Sequence, residues 1–136
     1  MQSLNKLLAN IALARQNAAN LHWNVRGKLF RPLHKITEKL YEGLAQFIDD
    51  VAEKIAMQGH IPLSTYQEYL QNADLKEIQP KAFDSEEVIK HAIHNLDVIQ
   101  KSANNVKGTD VVQPLLDEIF LFVDKQRWIF RSHQEH

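Results

Sequence analysis

The chain contains no cysteine. That absence excludes disulfides, thiolate metal sites and thiol nucleophiles together. Glycine and proline are scarce, four of each in 136 residues, so their positions stand out. Gly27 and Pro32 bracket one break, Gly59 and Pro62 a second, and Gly108 and Pro114 a third. No apolar run is long enough to span a bilayer, and the first residues lack a signal-peptide pattern, so the expected compartment is the cytoplasm. Charge of either sign is in little excess: the formal net charge is −1, which excludes a global basic field that would attract nucleic acid.

What remains is ordinary in amount and ordered in pattern. A 44% hydrophobic, 24% charged chain of this length is expected to form one domain over residues 1–136, with a real core. Between the breaks, apolar residues recur at helical spacing, and no strand-length alternation competes. The first helix is expected from about Leu4 to Val25, with Leu4, Leu7, Leu8, Ile11, Ala14, Ala18 and Leu21 inward. The second starts near Pro32, a residue suited to a first helical position, and ends before Gly59. Its stripe is Leu33, Leu40, Leu44, Phe47, Ile48, Val51 and Ile55. The third begins at Asp84 or Ser85, where Asp84 and Glu87 are spaced as a capping box, and carries Val88, Ala92, Ile93, Leu96 and Ile99. The fourth starts at Pro114 and runs through Leu115, Ile119, Phe122, Trp128 and Ile129. Thr65 and Glu68 resemble a second capping box in the stretch Pro62–Lys81, which predicts a short extra helix with Tyr66, Tyr69 and Leu70 on its apolar side. The expected fold class is all-α: a four-helix bundle whose long second connection carries that short helix and lets helices two and three run parallel.

Two pairs of potential metal ligands share the second helix: His34 with Glu38, and Asp49 with Glu53. Each pair is spaced i, i+4, so its side chains leave the same face one turn apart. The pairs cannot meet within one chain, because fifteen residues of helix between His34 and Asp49 rise about 22 Å while metal–ligand bonds are about 2 Å. Both pairs share a midpoint between Gly43 and Leu44. A second copy, antiparallel across a two-fold axis near Gly43, would bring one chain's His34/Glu38 against the other's Asp49/Glu53. The spacing thus predicts a metal site that exists only in a dimer.

The segment His22-Trp23-Asn24-Val25-Arg26-Gly27, followed by His34, Asp49 and Glu53, resembles the signature of the Dps family, the miniferritins. Asp50-Val51-Ala52-Glu53-Lys54, the run Gln58–Thr65 and Lys125-Gln126-Arg127-Trp128 extend the similarity over nearly the whole chain. The resemblance implies a ferritin-like four-helix bundle assembled from two-fold dimers into a hollow shell of twelve copies. It implies ferroxidase sites at those dimer contacts, with His22, His34 and Glu38 from one subunit and Asp49 and Glu53 from its mate. It implies an iron-storing and detoxifying protein that oxidises iron(II), with hydrogen peroxide or dioxygen, and holds the ferric mineral inside. Many members have Asp where this chain has Glu38, which keeps the carboxylate and lengthens its reach. Whether Glu38 touches the metal directly or through another ligand is open at this point.

Blander readings accompany each residue. A lone histidine on a helix stripe is ordinarily a satisfied core residue, and Asp49 with Glu53 could be a solvated face; together, at this spacing, they read as ligands. Trp23 reads first as a packing residue, with an electron-donating role beside His22 as the alternative. Gly43 reads as a close-approach position at the two-fold. His60, His91, His94, His133 and His136 carry no ligand spacing and read as ordinary histidines. Asp110, Asp117 and Asp124 repeat at heptad spacing and could line an iron pore, but Pro114 argues against one continuous helix, leaving Asp110 in a loop and Asp124 solvated. Glu42 and Asp50 could face an acidic interior. Two other functions remain in view. DNA binding has little support in the brief, mixed-charge C-terminal stretch Arg131–His136, and a salt-dependent mobility shift would reveal it. A structural helical assembly without iron oxidation would show no activity with iron(II).

Overall fold

The structure is a computed structural model and describes residues 1–134. Glu135 and His136, the end of the C-terminal stretch noted above, lie outside the described residues. Among the described residues, five helices follow in order: α1 (Gln2–Asn24), α2 (Phe30–Met57), α3 (Tyr66–Asn72), α4 (Ser85–Asn104) and α5 (Gln113–Arg131). The long helices α1, α2, α4 and α5 form the bundle, with α1 beside α2 and α4, and α5 beside α4 and α2. Short connections join α1 to α2 and α4 to α5, and the long connection between α2 and α4 carries α3 against α1. No described helix is long and apolar enough to cross a membrane.

Local sequence accounts for most helix ends. Thr65 caps α3 and Asp84 caps α4, each through the reciprocal capping box that the spacing predicts, with Glu68 and Glu87 reaching back to the cap backbone. Pro114 sits in the first turn of α5, where its missing N–H is no loss. The second helix begins two residues before the expected start. Phe30 N–H bonds to Gly27 O at 3.1 Å, so Pro32 falls third in the helix, still within the turn that has no intrahelical acceptors. Gly27 adopts a φ of +107°, a backbone state that permits the sharp reversal between α1 and α2. Val25 leaves α1 in extended geometry and pairs with Phe83 in an isolated parallel bridge.

The core runs the length of the bundle, with Leu8 and Ile11 of α1, Leu33, Leu40 and Leu44 of α2, Ile89 and Leu96 of α4, and Ile119 and Phe130 of α5 all buried. Two aromatic expectations need correction. Trp128 is 58% exposed, because it lies on the far side of α5 from the buried stripe Leu115, Leu116, Ile119, Val123 and Phe130. Trp23 is 61% exposed and so is not a packing residue of its own bundle.

The long connection is held by polar groups that the helical periodicity did not single out. Asn10, fully buried on α1, accepts the N–H groups of Asp74 (2.7 Å) and Leu75 (3.1 Å) and donates to the Asp74 carboxylate and Ser102 Oγ. Asn17 accepts from Ile78 N–H and donates to Lys76 O and Asn95 Oδ1. Asn5 accepts from Leu63 N–H and Asn20 donates to Ile78 O. Asparagine is a poor helix former, so several on one helix that each satisfy distant backbone groups signal an anchoring face.

Candidate metal centre

The C-terminal turn of α1 and the first turns of α2 meet at the Gly27 reversal, which brings His22 against His34. Their rings stack at 3.8 Å between centroids with 14° between planes. Each ring is braced by the other residue's backbone: His22 Nδ1 lies 2.6 Å from His34 O, and His34 Nδ1 lies 2.8 Å from His22 O. A carbonyl oxygen only accepts, so Nδ1 carries the proton in each neutral ring and leaves Nε2 with the lone pair, the form that binds metals. His22 is buried and His34 is half-buried. Phe30 stacks on the outer side of His34 at 5.0 Å, and Tyr41 meets His22 edge-on at 5.4 Å. Thr37, fully buried, lies beneath the pair. Phe30, Thr37 and Tyr41 went unnoticed in the sequence; Thr37, a hydroxyl at i+4 from Leu33 in an aliphatic stripe, was the available signal.

Glu38 is half-buried one turn beyond His34 on α2. Asp49 and Glu53 are exposed on the same helix, and their carboxylates gather with that of Asp50 within 4.8 Å of one another. At 100° per residue, His34, Glu38, Asp49 and Glu53 fall within an arc of about 100° on α2. The structure thus brings His22 and His34 together, and leaves Asp49 and Glu53 about 22 Å further along the same helix face. Asp50 joins the acidic cluster and also accepts from Gln46 Nε2 at 3.0 Å.

Gly43 has a different role from the expected one. It lies on the opposite side of α2 from His34, and a Cβ there would collide with the ring of Phe122 on α5. Its missing side chain therefore serves packing within the chain. The small residue on the ligand face at the level of the shared midpoint is Ala45, which lines an open apolar groove of about 370 Å³ with Ala12, Leu13, Ile48, Tyr66 and Leu70. Tyr66 (82%) and Leu70 (48%) are exposed at its edge. Of the candidate pore acids, Asp110 precedes α5 in a turn, Asp117 accepts from Gln113, and Asp124 is 89% exposed, with Arg127 at 4.0 Å.

The family model of the ferritin-like domain matches residues 1–133. An all-α bundle with two braced imidazoles and a helix bearing carboxylates at metal-ligand spacing agrees with that class, and the chain belongs to the ferritin-like proteins. Within them it belongs to the Dps family. It is 30% identical to a "DNA protection during starvation protein" of Helicobacter pylori, covering 96% of this chain and 94% of that one. It is 29% identical to general stress protein 20U of Bacillus subtilis, over 98% of this chain and 95% of that one. Among solved structures, Dps from Staphylococcus aureus superposes with a TM-score of 0.91 at 30% identity, over 98% of this chain and 93% of that one. The Vibrio cholerae Dps, described as a member of a superfamily of ferritin-like diiron-carboxylate proteins, gives 0.89 at 25% identity, over 96% and 85%.

Proposed function

We propose that this chain, a single domain over residues 1–136, oxidises iron(II) at sites shared across a two-fold dimer and stores the ferric product in a hollow shell of twelve copies. The observation that carries this is the braced His22–His34 pair, joining the end of α1 to an α2 face whose acidic pair lies too far away to complete the site. An antiparallel mate crossing at Ala45 would set Asp49 and Glu53 beside His22, His34 and Glu38, and its own α3 would cover the groove flanked by Tyr66 and Leu70. Glu38, one turn from His34, is placed to bind iron directly or to orient the imidazole; its longer side chain favours the direct role.

Imidazole and carboxylate together suit iron in both oxidation states, with the hard carboxylates favouring the ferric product. Iron is the substrate here. Two iron(II) ions supply the two electrons that reduce one hydrogen peroxide, and the reaction consumes both reactants of hydroxyl-radical chemistry. The Nδ1–H braces hold the imidazoles in place, so few rotamers must be ordered as metal arrives. With no cysteine in the chain, no thiol competes for the oxidant. The protein is proposed to act in the cytoplasm.

The test is anaerobic iron(II) titration followed by peroxide, with iron oxidation read optically. His34→Ala and Asp49→Ala should each lower the rapid phase at least ten-fold while the helical content and particle mass stay unchanged. Full activity in both variants would refute the reading. The names of the H. pylori and other relatives favour DNA protection as a second reading, and salt-dependent retardation of duplex DNA by the same preparations would establish it.

A further inference from the structure

Thr37 is the one polar residue in the buried stripe of α2, and it has no exposed surface. Its Oγ1 lies 2.7 Å from Leu33 O, 3.1 Å from His34 O and 3.3 Å from His22 Nδ1. A hydroxyl has one proton and two lone pairs. The shortest contact takes the proton to Leu33 O, so the oxygen turns a lone pair toward His22 Nδ1. That nitrogen already faces the carbonyl of His34 at 2.6 Å. Both atoms that His22 Nδ1 meets are therefore acceptors, and the single proton of the neutral ring is held there. His34 has a simpler arrangement, with His22 O as the acceptor for its Nδ1.

We propose that Thr37 is a positioning residue for the candidate metal centre: its hydroxyl gives the His22 Nδ1–H a second acceptor beside the His34 carbonyl and steadies the turn that carries that carbonyl, so that Nε2 faces the metal. The inference rests on the reading of His22 and His34 as ligands. The position supports a role for the hydroxyl itself. Valine would fill the same space in this aliphatic stripe without bringing an oxygen into the core. A threonine that merely bonded back to its own helix would satisfy itself at Leu33 O and leave the imidazole indifferent to its presence.

The experiment compares Thr37→Val, Thr37→Ser and His22→Ala with the unaltered shell by two readouts. Solid-state 15N NMR of histidine-labelled, metal-free protein reports the hydrogen bonding of the His22 Nδ1–H through its Nδ1 resonance. Anaerobic titration with iron(II) alone reports affinity. Thr37→Val leaves the His22 Nδ1–H with the His34 carbonyl as its one acceptor, so it should shift the Nδ1 resonance and weaken iron(II) binding about ten-fold, and Thr37→Ser should restore both. If Thr37→Val does not assemble, Thr37→Ala against Thr37→Ser gives the same comparison. Unaltered affinity and Nδ1 resonance in the variant lacking the hydroxyl overturn the proposal. So does weakened binding with an unaltered Nδ1 resonance, which would be a packing effect, or equal loss in the serine variant. Iron(II) binding by His22→Ala at full strength would instead bring down the ligand reading itself, and the role of Thr37 with it.

Discussion

His22 and His34 are oriented by each other's backbone rather than by carboxylates. That choice makes their positions depend on one tight turn, Gly27, where φ is +107° and any larger residue is strained. Gly43 is a second residue whose meaning is local. An alanine there would gain about 1 kcal/mol of helix propensity but would push Phe122 out of its edge-to-face contact with Phe47. Overpacking commonly costs about 1–3 kcal/mol, so the net effect should be loss of stability. Gly43→Leu should lower the thermal midpoint more than Gly43→Ala, and pairing Gly43→Ala with Phe122→Leu should recover most of the loss. Loss of dimer with an unaltered thermal midpoint would return Gly43 to the two-fold axis.

At the scale of elements, α1 does two jobs. Its apolar face closes the bundle, while Asn5, Asn10, Asn17 and Asn20 fasten the long connection to it. The fastening includes a charge. Donation from Asn10, followed by the Lys6 ammonium at 3.2 Å, holds the Asp74 carboxyl below the usual carboxylate range. A folded-state value lowered in this way adds stability above the unfolded carboxylate value, about pH 4, and that contribution is lost as pH falls through the folded value. Asp74 is half exposed, so solvent keeps the effect small. Thermal midpoints measured from about pH 5 down to pH 2 should therefore fall less steeply for Asp74→Asn than for the unaltered protein. Parallel curves would remove Asp74 from the acid sensitivity of the connection.

At the scale of the whole molecule, the proposed shared site needs a partner, because the two candidate ligand pairs lie about 22 Å apart along α2. Two inactive variants test this, one with His22→Ala and His34→Ala, the other with Asp49→Ala and Glu53→Ala. In a mixed dimer one interface site collects both defects and the other collects none. Co-assembled mixtures should recover part of the oxidation rate that neither variant has alone. Verified mixed dimers without recovery would place all ligands in one chain, against the separation of about 22 Å along α2. Particle mass on the same mixtures would show whether assembly reaches twelve copies.

Helix existence and helix ends were legible because they are local. The period of the apolar residues, the boxes at Thr65 and Asp84, and Pro114 in a first turn each depend on neighbours within four residues. The candidate ligand pairs on α2 were legible for the same reason, since a straight helix converts spacing into direction and distance. Contacts between elements were not. Which side of α2 Gly43 occupies depends on where α5 lies, and its neighbour Phe122 is 79 positions away by subtraction of their numbers. Asn10 and Asp74, 64 positions apart, meet only once the connection has folded across α1. The same holds for the ring-on-ring contact of His22 and His34 and for the hydroxyl of Thr37 beneath it. The sequence by itself determined the helices, the caps of α3 and α4 and the candidate ligand types; the tertiary structure decided which polar groups satisfy one another, because buried hydrogen bonds are chosen by proximity in space and carry no periodic trace along the chain.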